Sequence, residues 1–393
     1  MMNDQELRAL VEAQKDWMIE KRRLLHRIPE RGFAEYKTQR AIMDALEEIG
    51  IPYQTERTWV IGLIEGALEG ETVALRADMD ALPLDEPPGC TFRSEHPGMM
   101  HACGHDAHVA ILLGAAKVLY GIRDQLCGNV KLLFQPAEET DGGAEPMVAA
   151  GALENPHVDR VYGLHVQPYL PVGTIETRTG TLNASTDTVE LIIHGRASHG
   201  AYPESSADAI VCAAQVIMSL QTLVSRNLSP LSSAVLSIGM ISGGTAGNII
   251  CDKVALRGTL RTANSEIRTM MKRRIDEVAR GVAQAMGCRA EVNITSGYAA
   301  LVNDAQEAAR VMRVAGRLLG KENTVEKRDP SMGGEDFSFF CDAAPGAFFH
   351  LGCTAKEDLP APLLHSRDFA LNEECLTVGA MMHVALVLDG MQG

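Results

Sequence analysis

Short apolar segments alternate with a longer alanine- and leucine-rich segment in the first half of the chain, and this alternation limits the fold more than any other feature. Residues 72–80 (TVALRADMD), 129–135 (NVKLLFQ) and 160–166 (RVYGLHV) have the length and composition of buried strands. Residues 108–122 (HVAILLGAAKVLYGI) predict a helix with Asp106 as its N-cap. Strands separated by helices favour an α/β domain with helices on both faces of its sheet.

A different order of elements begins after residue 183. The predicted order is β-α-β-β-α-β, which is a complete small α+β domain of the ferredoxin-like kind. A chain of 393 residues is also longer than one hydrophobic core usually serves. We therefore predict one domain formed by residues 1–183 and 297–393, interrupted by a smaller domain at 184–296. The segments behind this prediction are 186–199, 207–224, 233–242, 253–262, 265–286 and 289–296.

Composition excludes some classes of partner. Lys and Arg number 36 against 51 Asp and Glu, which gives a net charge of −15. This charge disfavours nucleic acid and anionic membranes as the main partner. The first residues lack the apolar core of a signal peptide, and the nine cysteines contain no C-x-x-C pair. We expect a cytoplasmic protein with free thiols.

Metal-binding side chains gather at a few predicted loop and strand ends. They are Cys103 and His105 in MHACGHDAH, Glu138 and Glu139 in FQPAEE, His165 in GLHV and His365 in LLHS. Ligands of open α/β sheets bind at the carboxyl ends of the strands, so these residues are expected to lie together. Thiolate, imidazole and carboxylate suit zinc or a similar divalent ion. Five ligands exceed one tetrahedral site and fit two ions, leaving one glutamate to accept a proton from water.

Each residue also has a simpler explanation on its own. A single buried cysteine usually packs as a small apolar side chain, and paired glutamates are usually solvated. A thiol hydrolase with Cys103 as nucleophile and His105 as base is a second hypothesis, and a non-catalytic metal-binding protein is a third. Sensitivity of the activity to chelators would separate the first two. His101 and His108 are interpreted as structural.

The motifs taken together resemble a known family of metal-dependent amidohydrolases. The resemblance runs nearly end to end through LHRIPERGFAE, LRADMDALPL, MHACGHDAH, FQPAEE, GRASHGAYPE, GGTAGNII and MGGEDFSFF. The family includes hippurate hydrolase, N-acyl-amino-acid deacylases and plant auxin-conjugate hydrolases, and is related to aminoacylase and the zinc carboxypeptidases. It implies a zinc-peptidase-like catalytic domain with a mixed sheet and an inserted domain for lid closure or dimerisation. Trp59 and Cys251 stand where the family commonly has glycine and proline.

The resemblance also implies roles for individual residues. The metal ligands would be Cys103, His105, Glu139, His165 and His365. Glu138 would be the general base and acid, Asp80 would orient a ligand imidazole, and His199 would steady the oxyanion from the inserted domain, in cis or from a partner subunit. Asn248, Arg261, Gly333 and Gly334 would contact substrate.

The implied reaction is hydrolysis of an amide in N-acyl amino acids or short peptides by a metal-activated water. The cofactors would be two divalent ions among zinc, manganese, nickel and cobalt, and the implied assembly is a homodimer. Dipeptidase or carboxypeptidase action on small peptides is the alternative within the same chemistry.

Overall fold

The computed structural model describes residues 2–391, which form two compact units. The first unit contains the chain up to Leu182, Val302–Arg328 and the chain from Asp336 onward, and the second contains Asn183–Leu301 and Asp329–Glu335. The segment predicted as an insertion, 184–296, lies within the second unit.

Ten α-helices and fourteen strands are present in the described residues. The helices are α1 (Asp4–Glu12), α2 (Lys15–Arg27), α3 (Tyr36–Ile49), α4 (His105–Gly121), α5 (Ala144–Ala149), α6 (Ala209–Asn227), α7 (Ser265–Ala285), α8 (Ala305–Leu319), α9 (Ser338–Ala343) and α10 (Cys375–Gly390). The strands are β1 (Tyr53–Glu56), β2 (Trp59–Glu65), β3 (Leu68–Asp78), β4 (Cys127–Gln135), β5 (Arg160–Pro171), β6 (Ile175–Thr177), β7 (Gly180–Asn183), β8 (Ser185–His194), β9 (Ala234–Gly243), β10 (Lys253–Thr262), β11 (Arg289–Ser296), β12 (Leu301–Asn303), β13 (Thr324–Glu326) and β14 (Gly346–Thr354).

The first unit is built on one mixed sheet of eight strands in the order β1-β2-β4-β3-β5-β14-β6-β13. Strands β4, β3, β5 and β14 are parallel to one another. Strand β2 pairs antiparallel with β4, and β1 pairs antiparallel with β2. The central strands are almost continuously buried, because helices cover both faces of a parallel sheet. The carboxyl ends of β3, β4 and β5 therefore meet at one edge, as the sequence predicted. The predicted α/β fold class is confirmed.

Two helices of this unit are apolar on every side. Nearly all residues of α4 are buried, and the same holds for α10, which packs against it. A helix that is apolar all round belongs in the interior of a protein and not at its surface. The amino end of α4 is thereby fixed in the core, and it carries His105.

The prediction that Asp106 caps α4 is wrong. The helix begins at His105, and Gly104 occupies the cap position with φ of 85°. Glycine tolerates this left-handed conformation, and a Cβ at Gly104 would lie only 2.5 Å from Cγ2 of Val166. Asp106 is buried in the first turn, where its carboxylate accepts a hydrogen bond from Arg22 and contacts Nδ1 of His26, both at 2.8 Å.

Strand β5 is longer than predicted. The pattern ended the strand at residue 166, next to His165, but the strand continues to Pro171. His165 therefore lies inside the strand, paired in register with His350 of β14. The apolar pattern stops early because Gln167 and Tyr169 bring polar groups into the last part of the strand.

The second unit has the predicted order β8-α6-β9-β10-α7-β11. Its sheet is fully antiparallel in the order β11-β8-β10-β9, with α6 and α7 packed on it. Within the described residues, α6 is the one helix long and apolar enough to cross a membrane. Its residues Cys212, Val216 and Leu220 belong to the core of this unit, so one face of the helix packs on the sheet.

Candidate metal centre

The predicted ligands of the first unit converge at the carboxyl edge of its sheet. Cys103 and His105 stand at the start of α4, Glu138 and Glu139 follow β4, and His165 lies on β5. His365 comes from a late loop, where its own N–H donates to the carbonyl of Ala102 at 2.9 Å and so ties that loop to the Cys103 segment.

Donor atoms approach one another closely in this group. Sγ of Cys103 lies 3.2 Å from Nε2 of His165, and Nε2 of His365 lies 3.0 Å from Oε1 of Glu139. Three sets can each share one ion, with ligand atoms within 4.8 Å of one another: Cys103 with His105 and His165, Cys103 with Glu139 and His365, and His105 with Glu138 and Glu139. The structure thus brings together all five predicted ligands and Glu138.

The surroundings of Nε2 of His105 indicate that these side chains fit a cation. This nitrogen is buried and makes no hydrogen bond within residues 2–391, although it lies 3.8 Å from both Oε1 of Glu139 and Oδ2 of Asp78. Buried polar atoms are normally hydrogen-bonded, so an unpaired nitrogen facing two carboxylate oxygens indicates a missing positive partner. Thiol, imidazole and carboxylate donors together suit a divalent transition metal.

Asp80 holds two parts of the centre at once. Oδ1 lies 3.2 Å from Nδ1 of His105 and accepts the N–H of Glu138 at 3.1 Å, while Oδ2 accepts the N–H of Glu139 at 3.1 Å. A carboxylate on Nδ1 directs the opposite nitrogen of the ring toward a metal. In His165 a backbone group takes this role: Nδ1 donates to the carbonyl of Val166 at 2.7 Å, which leaves Nε2 as the nitrogen that can bind a metal.

The electrostatics of the group are those of a cation site. Burial opposes protonation of His105, but Asp78, Asp80 and Glu139 outweigh it and raise its pKa to about 10. Burial raises the pKa of the Cys103 thiol well above its usual range, and the nearby glutamates raise it further. A thiol in this state is a poor nucleophile without a cation beside it, so the thiol-hydrolase hypothesis is not favoured.

A second layer of polar residues beneath the ligands was missed by the sequence analysis. Oδ1 of Asp78 lies 2.5 Å from Nδ1 of His108, and Nε2 of His108 accepts the N–H of Val166 at 3.0 Å. Arg76 donates to Asp78 at 2.7 Å and to Asp336 at 3.1 Å. The alternation in RADMD was the available signal, since residues 76, 78 and 80 share one face of an extended segment.

The substrate residues predicted from the resemblance lie in the second unit, in two groups. His199 is exposed beside Asn248: Nδ1 of His199 accepts the N–H of Ala201 at 3.0 Å, and the carbonyl of Asn248 accepts the N–H of Gly200 at 2.8 Å. Arg261 lies on β10, where burial lowers its pKa.

The two predicted glycines belong to the same unit. A Cβ at Gly334 would clash with Cγ2 of Thr186 at 2.4 Å and would lie 3.7 Å from Nη1 of Arg261, so glycine allows the backbone to pass close to both residues. Gly333 is exposed, and its N–H donates to Oγ of Ser331 at 3.2 Å.

Comparisons with known proteins agree with this fold. Residues 74–389 match the family described as peptidase family M20/M25/M40. The IAA-amino acid hydrolase ILR1-like 4 of Arabidopsis thaliana is 41% identical over 377 residues, which cover 94% of this chain and 85% of the relative. The N-acetyldiaminopimelate deacetylase of Bacillus velezensis is 40% identical over 350 residues, covering 88% and 92%.

A crystal structure of a relative has the same fold along nearly the whole chain. The YXEP protein of Bacillus subtilis, described as a dinuclear metal-binding peptidase of the M20 family, superposes with a TM-score of 0.85 at 35% identity and covers 97% of this chain and 99% of its own. Fold and donor set define a metal-dependent amidohydrolase that uses divalent ions. The chain belongs to peptidase family M20/M25/M40, and the resemblance inferred from its motifs is confirmed.

Proposed function

We propose that this enzyme hydrolyses the amide bond of N-acyl amino acids, with Glu138 as the general base and acid. The main support is the convergence of Cys103, His105, Glu139 and His165 beside the buried Glu138 at the carboxyl edge of the sheet. Two relatives that align along most of the chain carry the names of an amino-acid conjugate hydrolase and an N-acetyl deacetylase. Peptide hydrolysis by the same machinery is less favoured.

The five ligands proposed above would hold two divalent ions among zinc, manganese, nickel and cobalt. Such ions polarise a carbonyl and make water more acidic when bound. Glu138 takes the proton of the attacking water and returns it to the departing amine, while Asp80 keeps the backbone of Glu138 and Glu139 in place.

Roles for the residues of the second unit complete the proposal. His199 donates a hydrogen bond to the oxyanion, in cis or from a partner subunit, and Asn248 binds the substrate beside it. Arg261 pairs with the α-carboxylate of the amino acid, which its five N–H donors can bind in a bidentate manner. Gly333 and Gly334 have no side chains, so their backbone can contact the substrate.

The test combines metal analysis with a substrate panel. Elemental analysis should give about two divalent ions per chain, in line with a two-metal hydrolase. Amino acid should be released from N-acetyl or N-benzoyl substrates faster than from dipeptides, and a chelator should stop the release. Glu138→Gln should keep the metal and lower kcat about 10²- to 10⁴-fold, as expected for loss of a general base. Glu145→Gln, at an exposed position of α5, is the matched control. Near-normal kcat in Glu138→Gln would show that the base is wrongly assigned.

We also propose that the enzyme is a homodimer joined through the second unit. Strand β9 is the last strand of its sheet, and Met240 and Ile241 on it are 65% and 58% exposed. Met218 of α6 is 66% exposed. An open apolar edge strand is a surface that a second copy can cover by continuing the sheet.

Sedimentation analysis tests the assembly. Met240→Lys should convert dimer into monomer, whereas Leu363→Lys, at an equally exposed position (68%) of the first unit, should not. A parent protein that sediments as a monomer at micromolar concentration would contradict this proposal.

A further inference from the structure

Two buried carboxylates hold three successive backbone N–H groups of the segment 137–139. Asp80 accepts those of Glu138 and Glu139 at 3.1 Å each. The remaining N–H, of Ala137, donates to Oε1 of Glu35 at 2.9 Å. Glu35 lies 102 residues earlier in the sequence, immediately before α3, and does not belong to the donor group of the metal centre.

The segment needs this support because of its backbone. Ala137 has φ of 58°, in the left-handed region that a residue with a Cβ rarely adopts. Such a conformation persists only where the surroundings determine it. Ala137 directly precedes Glu138 and Glu139, so its φ sets the direction in which the chain presents both side chains.

Glu35 is itself fixed on its other side. It is fully buried, and Oε2 accepts the hydroxyl of Thr58 at 2.8 Å, where Thr58 is also buried. Burial raises the pKa of Glu35 to about 7, and the hydrogen bond from Thr58 opposes that rise. Gly32 completes the contact, since a Cβ at Gly32 would lie 2.8 Å from Cα of Ala137. Residues 32–35 therefore pack directly against the segment 137–139.

We propose that Glu35 is a positioning residue for the reaction: by accepting the N–H of Ala137 it holds the left-handed turn that aims Glu138 and Glu139 into the metal centre. This inference rests on the proposed role of Glu138. Glu35 touches neither substrate nor metal in this proposal and acts only through the backbone of Ala137.

Three variants separate positioning from a general contribution to stability. Glu35→Gln keeps both contacts, because its amide oxygen can accept from Ala137 and its NH₂ can donate to the Thr58 hydroxyl. Glu35→Leu fills a similar volume and accepts nothing. Glu35→Leu with Ala137→Gly removes the acceptor but also removes the Cβ that makes the turn unfavourable.

The expected result is a change in kcat at constant metal content. Glu35→Leu should lower kcat about 10- to 100-fold with little change in KM, as is usual when a supporting partner of a metal site is lost. Glu35→Gln should keep most of kcat. Adding Ala137→Gly to Glu35→Leu should raise kcat several-fold above that of Glu35→Leu alone. A merely stabilising residue would not be rescued by removing a methyl group from Ala137.

Glu307→Leu is the matched control. Glu307 is a buried carboxylate of the same unit whose side chain contacts Tyr162, Arg160 and Arg310 and makes no contact with the segment 137–139 among those described. It should lower the melting temperature without lowering kcat of the folded enzyme. If Glu35→Leu does not fold, Thr58→Val, which removes the hydroxyl from Oε2, should lower kcat several-fold.

Several outcomes would overturn the proposal. These are normal kcat in Glu35→Leu or Thr58→Val, a loss in Glu35→Gln as large as in Glu35→Leu, and no rescue by Ala137→Gly. An active Glu138→Gln enzyme would instead overturn the proposed function. An inactive Glu138→Gln enzyme beside fully active Glu35 variants would overturn only the role of Glu35.

Discussion

We expect His383 to make the first unit sensitive to acid, although it lies outside the donor group of the metal centre. The ring is 1% exposed on α10, Nδ1 has no hydrogen-bond partner within residues 2–391, and the ring packs edge-on against Phe349. Burial lowers the pKa of His383 to about 3, with a smaller contribution from His108. The folded protein therefore keeps the ring neutral at pH values where an unfolded chain protonates it.

The sign and size follow from linkage. The folded pKa lies below the unfolded value of about 6.5, so the unfolded state binds more protons between these two values, and stability falls as the pH drops through this window. Each pH unit below about 6.5 costs about 1.4 kcal/mol. At pH 5 the loss from His383 is about 2 kcal/mol relative to pH 8, and at neutral pH and above it is absent.

Urea unfolding of His383→Leu at pH 8 and pH 5 measures this effect. Both tryptophans, Trp17 and Trp59, belong to the first unit, so their fluorescence reports on the unit that contains His383. Relative to the parent, the variant should gain about 2 kcal/mol between pH 8 and pH 5. Met382→Leu, a buried neighbour without a titratable group, should show no such gain. Parallel pH profiles for the parent and His383→Leu would refute the reasoning.

Two further predictions concern backbone space and metal. Gly128 and Gly173 both have positive φ, but a Cβ at Gly128 would lie 1.9 Å from the carbonyl oxygen of Glu71, whereas Gly173 has no atom within 4 Å. Gly173→Ala should cost about 1 kcal/mol and Gly128→Ala about 3 kcal/mol or more in urea unfolding; equal costs would contradict the clash. Removing metal with a chelator should lower the free energy of unfolding of the first unit by about 4 kcal/mol if the free ion is present at 1,000 times its Kd. Zinc or manganese should restore it, and an unchanged unfolding curve would contradict a metal held by the folded state.

Periodicity was sufficient to predict most of the elements. Strand β10 begins and ends at the residues that the sequence indicated, and α7 differs by one residue at its end, because both have a regular pattern with clear turn residues beside them. The start of α4 was misassigned because Asp106 is a good capping residue by type. The structure uses its carboxylate for Arg22 and His26, and a tertiary contact of this kind cannot be read from local preference.

The candidate site was predictable where its chemistry is local. Cys103 and His105 are two residues apart, and Glu138 and Glu139 are adjacent, so spacing and residue type were sufficient to suggest ligands. The contacts that orient them join distant parts of the chain and leave no periodic signal. Asp78 and Asp80 are an intermediate case, because the alternation of the extended segment at the end of β3 places them on one face but does not say what they hold.

Glu35 shows why the supporting contacts are the least predictable part of the site. Its partner is the backbone N–H of Ala137, a group that every residue except proline possesses, so the identity of Ala137 carries no information about the contact. The one sequence clue is Gly32, whose missing side chain is explained only when the 137–139 segment is seen against it. A side chain that binds a metal must carry a suitable donor atom, so its residue type in the sequence indicates it. A side chain that fixes a backbone segment acts through its position in the fold, so the structure is needed to find it.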